Sequence, residues 1–341
     1  MKQDISVVGI DLAKSVFHLV GMDDRGKIIL RKRLARGEVL SFMEKLPRAT
    51  VGMEACGGAH YWAQQLRAQG HDVKLMAPQY VKPYVKTNKN DLRDAEAIAE
   101  AVTRPTMRFV PIKGVEQQDI QSLHRVRERL MKARTALVNE TRGLLAEYGI
   151  VIPKGVNAFR KAIVVKLESE QAKLTPMSQE LFHRLFDEFV KLEAELAYYD
   201  DQHKAMAATH PECQRLLTIP GIGPITATAL IAAVGDVSVF KNGRQFSAWL
   251  GLVPKQHSTG GQTLLLGMSK RGDSYLRKLL IHGARATLRW AATKTDRRSQ
   301  WIRGLLERRG WNRTAVAVAN KNARIVWALL SRGGVYGENA G

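Results

Sequence analysis

The chain has 341 residues, 45% of them hydrophobic and 25% charged, which is ordinary globular usage and excludes disorder as the main state. At about 150 residues per domain this length allows two or three domains, and cores of that size need no disulfides. Lys and Arg number 53 against 32 Asp and Glu, a formal charge of +21; such an excess calls for a polyanionic partner, because each neutralised phosphate releases condensed counterions.

Residues 5–13 (ISVVGIDLA), 16–22 (VFHLVGM) and 27–34 (KIILRKRL) read as three short strands, the last two separated by the turn signal Asp23-Asp24-Arg25-Gly26. A helix at 38–46, a strand at 50–55, a helix at 59–69 entered through Gly57-Gly58 and a strand at 73–77 follow. Three antiparallel strands and then alternating strand and helix predict a mixed sheet covered by helices. Residues 90–103 form an amphipathic helix with Asn90 as its N-cap, ended by Pro105.

Residues 115–148 are helical by pattern, about 50 Å long if unbroken, with Leu123, Leu130, Leu137 and Leu144 at strict sevens. A second long helix carries Leu185, Phe189, Leu192, Leu196, Tyr199, His203 and Met206 in 4-3 alternation. The pair predicts a coiled-coil arm, joined through the connection from Pro153 to Pro176. A new, largely helical unit begins near Pro211 and runs to about Leu330, and the tail after Gly333 is too polar and Gly-rich to order. The basic excess lies mostly here: residues 241–341 hold 19 basic and 4 acidic residues, so nucleic acid is expected to be held by the last third.

The two cysteines, Cys56 and Cys213, have no ligand neighbours at metal-binding spacing, which argues against structural zinc. No stretch of about 18 apolar residues occurs, and Asp4 and Asp11 interrupt the apolar start. The expectation is a protein in a reducing cytoplasm, with no membrane association.

Asp11 sits on a strand otherwise made of Val, Ile and Gly, where a carboxylate needs a partner, and a cation is the most economical one. Glu54 stands likewise in VGMEACGG, and Asp91 and Asp94 are spaced i, i+3 on one helix face. Four such carboxylates suit two Mg²⁺ (or Mn²⁺) ions roughly 4 Å apart, the arrangement that stabilises attacking and leaving oxygens in phosphodiester displacement. Taken singly, each acid reads better as a helix-dipole or strand-end residue, and it is the four together that favour the metal site.

In LLTIPGIGPITATALIAAV, Gly221 and Gly223 mark a turn between two apolar helices, resembling a helix-hairpin-helix whose backbone N–H groups meet a phosphate; the alternative is a packing turn. In GLVPKQHSTGG, Ser258 lies in a Gly-flanked turn beside His257, with Lys255, Lys270, Arg271 and Arg277 nearby in sequence. A serine there is a candidate nucleophile toward phosphate, and a turn residue otherwise.

The order GIDLAK, GMEACGG, KNDLRDAEAI, IPGIGPITA and GLVPKQHSTGG…SKRGDSYLRKLL resembles the DEDD transposases of insertion-sequence family one-ten, specifically its eleven-eleven subgroup, relatives of the Piv/MooV DNA invertases. The resemblance spans essentially the whole chain. It implies a RuvC-like N-terminal domain with an RNase H fold (1–110), a coiled-coil linker (111–209), a mostly α C-terminal transposase domain with the helix-hairpin-helix and serine motif (210–333) and a flexible tail (334–341). By motif, the metal tetrad falls on Asp11, Glu54, Asp91 and Asp94 and the catalytic serine on Ser258, with Thr259 where many relatives have a second serine. Lys255, Lys270, Arg271, Arg277, Gly221 and Gly223 are the candidate phosphate contacts.

The resemblance further implies site-specific recombination of double-stranded donor and target DNA in the bacterial nucleoid, guided by a structured bridge RNA. Two DNA sites must meet, so a homodimer or tetramer is expected. Two other readings compete: a metal-dependent Holliday-junction-type nuclease forming no serine adduct, and a non-catalytic nucleic-acid binder whose acids are only caps.

Overall fold

The computed structural model describes residues 5–85 and 91–337, which fall into two compact units meeting in sequence at Glu116 and Gln117. In the N-terminal unit, β1 (Val7–Asp11), β2 (Val16–Met22) and β3 (Ile28–Ala35) form an antiparallel meander. Its second turn is closed by Asp23, whose carboxylate accepts from the N–H groups of Arg25 and Lys27. Then come α1 (Val39–Glu44), β4 (Thr50–Glu54), α2 (Ala59–Ala68), β5 (Asp72–Met76), α3 (Pro78–Val81), α4 (Asp91–Val102) and β6 (Phe109–Val110). The sheet order is β3-β2-β1-β4-β5-β6, with β4 and β5 parallel to β1. The strands and helices expected up to residue 103 are all present, with ends displaced by at most two residues. The proposed cap Asn90 lies outside the described residues, as do 338–341 of the tail.

Strand alternation sorts the sheet's two faces. Val8, Ile10, Phe17, Leu19, Val51 and Met53 are buried in one core with Val39, Met43, Trp62 and Leu66 of α1 and α2. The opposite face is covered by α4, and glycines make this possible. A Cβ on Gly9 would lie 2.2 Å from the Ala95 carbonyl oxygen and one on Gly52 would lie 2.9 Å from the Val102 Cβ. The helix answers with Ala95, Ala97, Ala99 and Ala101, all buried. Small residues on both sides bring the helix backbone onto the strands, which fixes where the first turn of α4 stands relative to the end of β1.

α5 (Val115–Glu147), α6 (Val156–Ser169) and α7 (Pro176–Thr209) follow. α5 and α7 run antiparallel, with Arg127 on Asp200 at 2.5 Å and Arg134 on Glu193 at 2.5 Å. The connection between Pro153 and Pro176, to which the sequence assigned no element, holds α6, whose Phe159, Ile163 and Leu167 share a core with Leu137, Leu145, Phe182 and Phe189. The strict sevens of α5 do not hold to its end. Leu130 and Leu137 are buried, but Leu144 is 37% exposed and Leu145 fully buried. A straight helix drifts about 20° per heptad, so by the third repeat the buried seam has moved one residue on.

The remaining elements are α8 (Pro211–Leu217), α9 (Pro224–Val234), α10 (Gly243–Trp249), a hairpin of β7 (Pro254–Thr259) and β8 (Gln262–Met268), α11 (Ser274–Trp290) and α12 (Arg297–Arg332), kinked at Gly310. Leu216, Leu230, Phe246, Leu280, Val318 and Val326 are among the side chains of their common core. The sequence places Ser258 in a Gly-flanked turn of a largely helical unit; the structure has a hairpin there instead, whose strand residues are nearly all exposed. Among the described residues no helix is long and apolar enough to cross a membrane.

Candidate active site

Asp11 ends β1, and Glu54 follows Met53, the parallel register partner of Ile10, at the end of β4. By alternation both stand on the face that α4 covers, along with Gly9 and Gly52. Asp91 and Asp94 occupy the first turn of α4, where the helix dipole favours anions. Carboxylate oxygens of Asp11, Asp91 and Asp94 lie within 4.8 Å of one another. Three hard oxygen donors at this spacing, two of them half-buried, fit a divalent cation of the Mg²⁺ or Mn²⁺ kind.

Glu54 is not within that oxygen cluster among the described residues, yet its charge reaches the same end of the sheet. The Cys56 thiol is pushed up first by burial, then by the negative charge of Glu54, and least by that of Asp11.

One residue of this site went unread in the sequence. His18 on β2 is the antiparallel register partner of Asp11, and its Nδ1 lies 3.7 Å from Asp91 Oδ2. That nitrogen is buried with no hydrogen-bond partner. The signal was available: Phe17 and Leu19 alternate into the opposite core, so the polar residue between them had to face α4 with Asp11.

In the second unit, Ser258 stands on β7 opposite Thr263, not in the turn, which is made by Gly260 and Gly261, both at positive φ. Its Oγ accepts a 2.7 Å hydrogen bond from Gln256 Nε2, the residue two positions back on the same face. His257 and Thr259 alternate to the other face, so neighbouring in sequence does not bring His257 to the serine.

The loop after the hairpin is locked to its base. A Cβ on Gly251 would lie 1.9 Å from the Arg271 carbonyl oxygen, and one on Gly272 1.9 Å from that of Trp249. Arg277 donates to the carbonyls of Leu250 at 3.2 Å and Gly272 at 3.4 Å, so part of its fork holds this loop. Lys255, Lys270 and Arg271 are exposed.

The turn between α8 and α9 divides its two glycines. Gly221, at φ +90°, is pressed against α11, where a Cβ on Gly283 would come within 1.8 Å of the Gly221 carbonyl oxygen. Gly223 is exposed at the N-terminus of α9, with open space where its Cβ would be.

Comparison with known proteins bears directly on this arrangement. Residues 8–150, which hold all four acids, match a DEDD transposase model named for IS110, and residues 213–300, which hold Ser258, match the transposase IS116/IS110/IS902 family. The chain is 54% identical over 334 residues to a "probable family 20 transposase" of Pseudomonas aeruginosa, covering 98% of this chain and 99% of the relative. The chain belongs to the IS110/IS116/IS902 family of transposases. Within that family it is 49% identical to the transposase for insertion sequence element IS1111A of Coxiella burnetii, over 98% of this chain and 92% of that one. It is 40% identical to the transposase for IS1328 of Yersinia enterocolitica, over 98% and 99%. Residues 8–150 of this transposase thus carry the family's DEDD, RNase H-like domain, and the divalent metal which that domain implies fits the oxygens of Asp11, Asp91 and Asp94.

Proposed function

We propose that this transposase is a site-specific DNA recombinase in which Ser258 is the nucleophile and Asp11, Glu54, Asp91 and Asp94 hold Mg²⁺. The observation that carries the reading is the convergence of three carboxylates from a strand end and a helix start to within 4.8 Å. Bound there, the cation would supply charge neutralisation at the scissile phosphate and its leaving oxygen.

The Ser258 Oγ forms a bond to phosphorus as one phosphodiester P–O bond breaks, and the departing oxygen takes up the proton that the hydroxyl releases. The bond energy stays in a phosphoserine link, so reversal by a new strand end rejoins DNA without an external energy source. The Gln256 amide leaves the serine O–H free to be given up, since it donates to Oγ rather than accepting from it. Lys255, Lys270, Arg271 and the free part of Arg277 neutralise neighbouring phosphates, and Gly223 offers the start of α9 to another. Ser258 reaches the carboxylates from the same or another subunit of a dimer or tetramer, with α5 and α7 as a coiled-coil contact. A structured guide RNA shares the positive surface with donor and target DNA.

The test is a denaturing gel of labelled donor and target DNA with Mg²⁺ and the element's flanking-region RNA, comparing the parent protein with Ser258→Ala and Asp11→Ala. A protein–DNA adduct lost in both variants is the expected result. Cleavage without adduct that survives Ser258→Ala but not Asp11→Ala would make the carboxylates a water-activating nuclease site instead.

A further inference from the structure

We propose that the cleft between α10 and the second half of α12 is a channel for an unpaired nucleic-acid strand, leading to the base of the Ser258 hairpin. The inference deepens the reading of the protein as a nucleic-acid enzyme, but it concerns residues that reading does not use. The cleft encloses about 1150 Å³. Its walls carry Arg244 from α10 and Arg313, Lys321, Arg324 and Arg332 from α12, and among the described residues no carboxylate lines it. At 100° per residue, α12 positions separated by 8, 11 and 19 residues fall within roughly 100° of one another, so the four cations make a stripe along a single face. Five positive charges around one concavity, with no carboxylate among its described lining residues, focus potential toward a polyanion.

The aromatic content decides which polyanion. Trp301 and Trp327 line the same cleft. Lys321 Nζ lies 4.2 Å from the centre of the Trp301 ring, and the Arg332 guanidinium lies 5.7 Å from that of Trp327. Such cation–π contacts hold long, flexible side chains in place before a ligand arrives. The Trp327 Nε1 donates to the Phe240 carbonyl at 3.0 Å, which fixes that indole. Rings interleaved with cations suit a strand whose bases are open for stacking; a duplex keeps its base faces against each other and has no use for the indoles.

The cleft is built into the fold at both ends. Where α10 meets α12, a Cβ on Gly243 would lie 3.0 Å from the Arg324 Cα, so the two helices are in close contact. Toward the hairpin, Leu252 and Pro254 line the cleft, and Asn320 Nδ2 donates to the Leu252 carbonyl at 3.2 Å. Pro254 begins β7, the strand that carries Ser258. A strand held along α12 is therefore led to the root of that hairpin.

The experiment measures anisotropy of short labelled single-stranded DNA, single-stranded RNA of the same sequence, and blunt duplex DNA. The protein is the full chain carrying Ser258→Ala, assayed in EDTA without divalent cation, so binding is read without chemistry whether the serine or the carboxylate site performs it, and failure of the serine reading leaves this test intact. Adding Lys321→Ala with Arg324→Ala should weaken single-strand binding by about tenfold or more and flatten its salt dependence by about 0.7 for each phosphate no longer neutralised. Duplex binding should change far less. Adding Trp301→Leu alone should weaken single-strand binding with the salt slope unchanged. Loss with either single strand supports the channel, and the larger loss identifies which strand it holds. Unchanged single-strand affinity in both variants, or an equal loss for duplex, overturns it. Thermal melts accompany each variant, and Arg313→Gln with Arg332→Gln, both at exposed positions, repeats the measurement should the first pair melt early.

Discussion

His18 and Asp11 face each other across β1 and β2, and the imidazole of His18 stands 3.7 Å from the Asp91 carboxylate with its Nδ1 buried and unbonded. It therefore sits against two of the three acids that converge here without being one of them. Residues that orient metal-binding carboxylates from behind are typically worth 10- to 100-fold in metal affinity or activity. His18→Leu is expected to raise the Mn²⁺ concentration that half-saturates DNA cleavage by about that factor, leaving metal-free DNA binding unchanged. His18→Gln should recover part of the loss. An unchanged Mn²⁺ requirement in His18→Leu would mean that the side chain only fills space.

The position of α4 depends on Gly9. A methyl group there would meet the Ala95 oxygen at 2.2 Å and the Ala99 nitrogen at 2.5 Å, both backbone atoms that cannot step aside singly. Gly9→Ala should cost about 1–3 kcal/mol by urea unfolding, as overpacking does. Because the helix must lift from the strand that carries Asp11, the same variant should bind Mn²⁺ more weakly than an equally destabilised variant of the opposite core, such as Met43→Ala. Equal metal affinity in the two would uncouple the helix packing from the site.

Much of this was legible in the sequence, for identifiable reasons. Asp11 and Glu54 stand out because each interrupts an apolar strand, and the i, i+3 spacing of Asp91 and Asp94 survives any error in where the helix begins. The strands of the first unit were readable because each is bounded by turn residues. What escaped depended on partners distant in the chain. His18 looked like one polar residue in an apolar run until register set it beside Asp11. The hairpin at 254–268 was hidden because its strand residues are nearly all exposed, so it carries no inward-facing apolar pattern. The basic cleft joins Arg244 to residues about 70 to 90 positions later in the sequence, a grouping no local pattern reveals. The α5 heptad matches the buried seam at Leu130 and Leu137 but not at Leu144, because seven residues fall about 20° short of two helical turns and the seam passes to Leu145.

Ser258 and Thr259 are adjacent hydroxyls on opposite faces of β7, paired with Thr263 and Gln262 respectively. Only one can face a given phosphate without the hairpin turning over. Thr259→Ala should therefore retain adduct formation, and Ser258→Ala should abolish it with no residual threonine-linked product in peptide mapping of the adduct. A phosphothreonine at 259 in either protein would reverse the assignment.

The second unit should lose stability in mild acid through a buried pair of histidines. The His124 and His203 rings stack at 3.9 Å. Thr228 Oγ1 lies 3.1 Å from His124 Nε2 and 3.2 Å from His203 Nδ1, and Tyr275 Oη lies 3.0 Å from His124 Nδ1. Thr228 gives its own proton to the Pro224 carbonyl at 2.8 Å, so the hydroxyl accepts from both rings while Tyr275 donates to His124, and both imidazoles are neutral. Burial, then the neighbouring His203 and Arg127, push His124 down to about 3. Burial and then Arg127, opposed by Asp200, push His203 down to about 4. Both values lie below the ordinary 6.5, so the unfolded chain takes up protons that the folded chain refuses. Their contribution is whole above about pH 6.5 and declines toward pH 4, at no more than about 1.4 kcal/mol per pH unit for each histidine. Urea midpoints between pH 7 and pH 5 should fall steeply in the parent protein and less steeply in His203→Gln, which keeps a polar group of similar reach but cannot take up the proton. Parallel slopes for the two proteins would assign the acid loss to other groups.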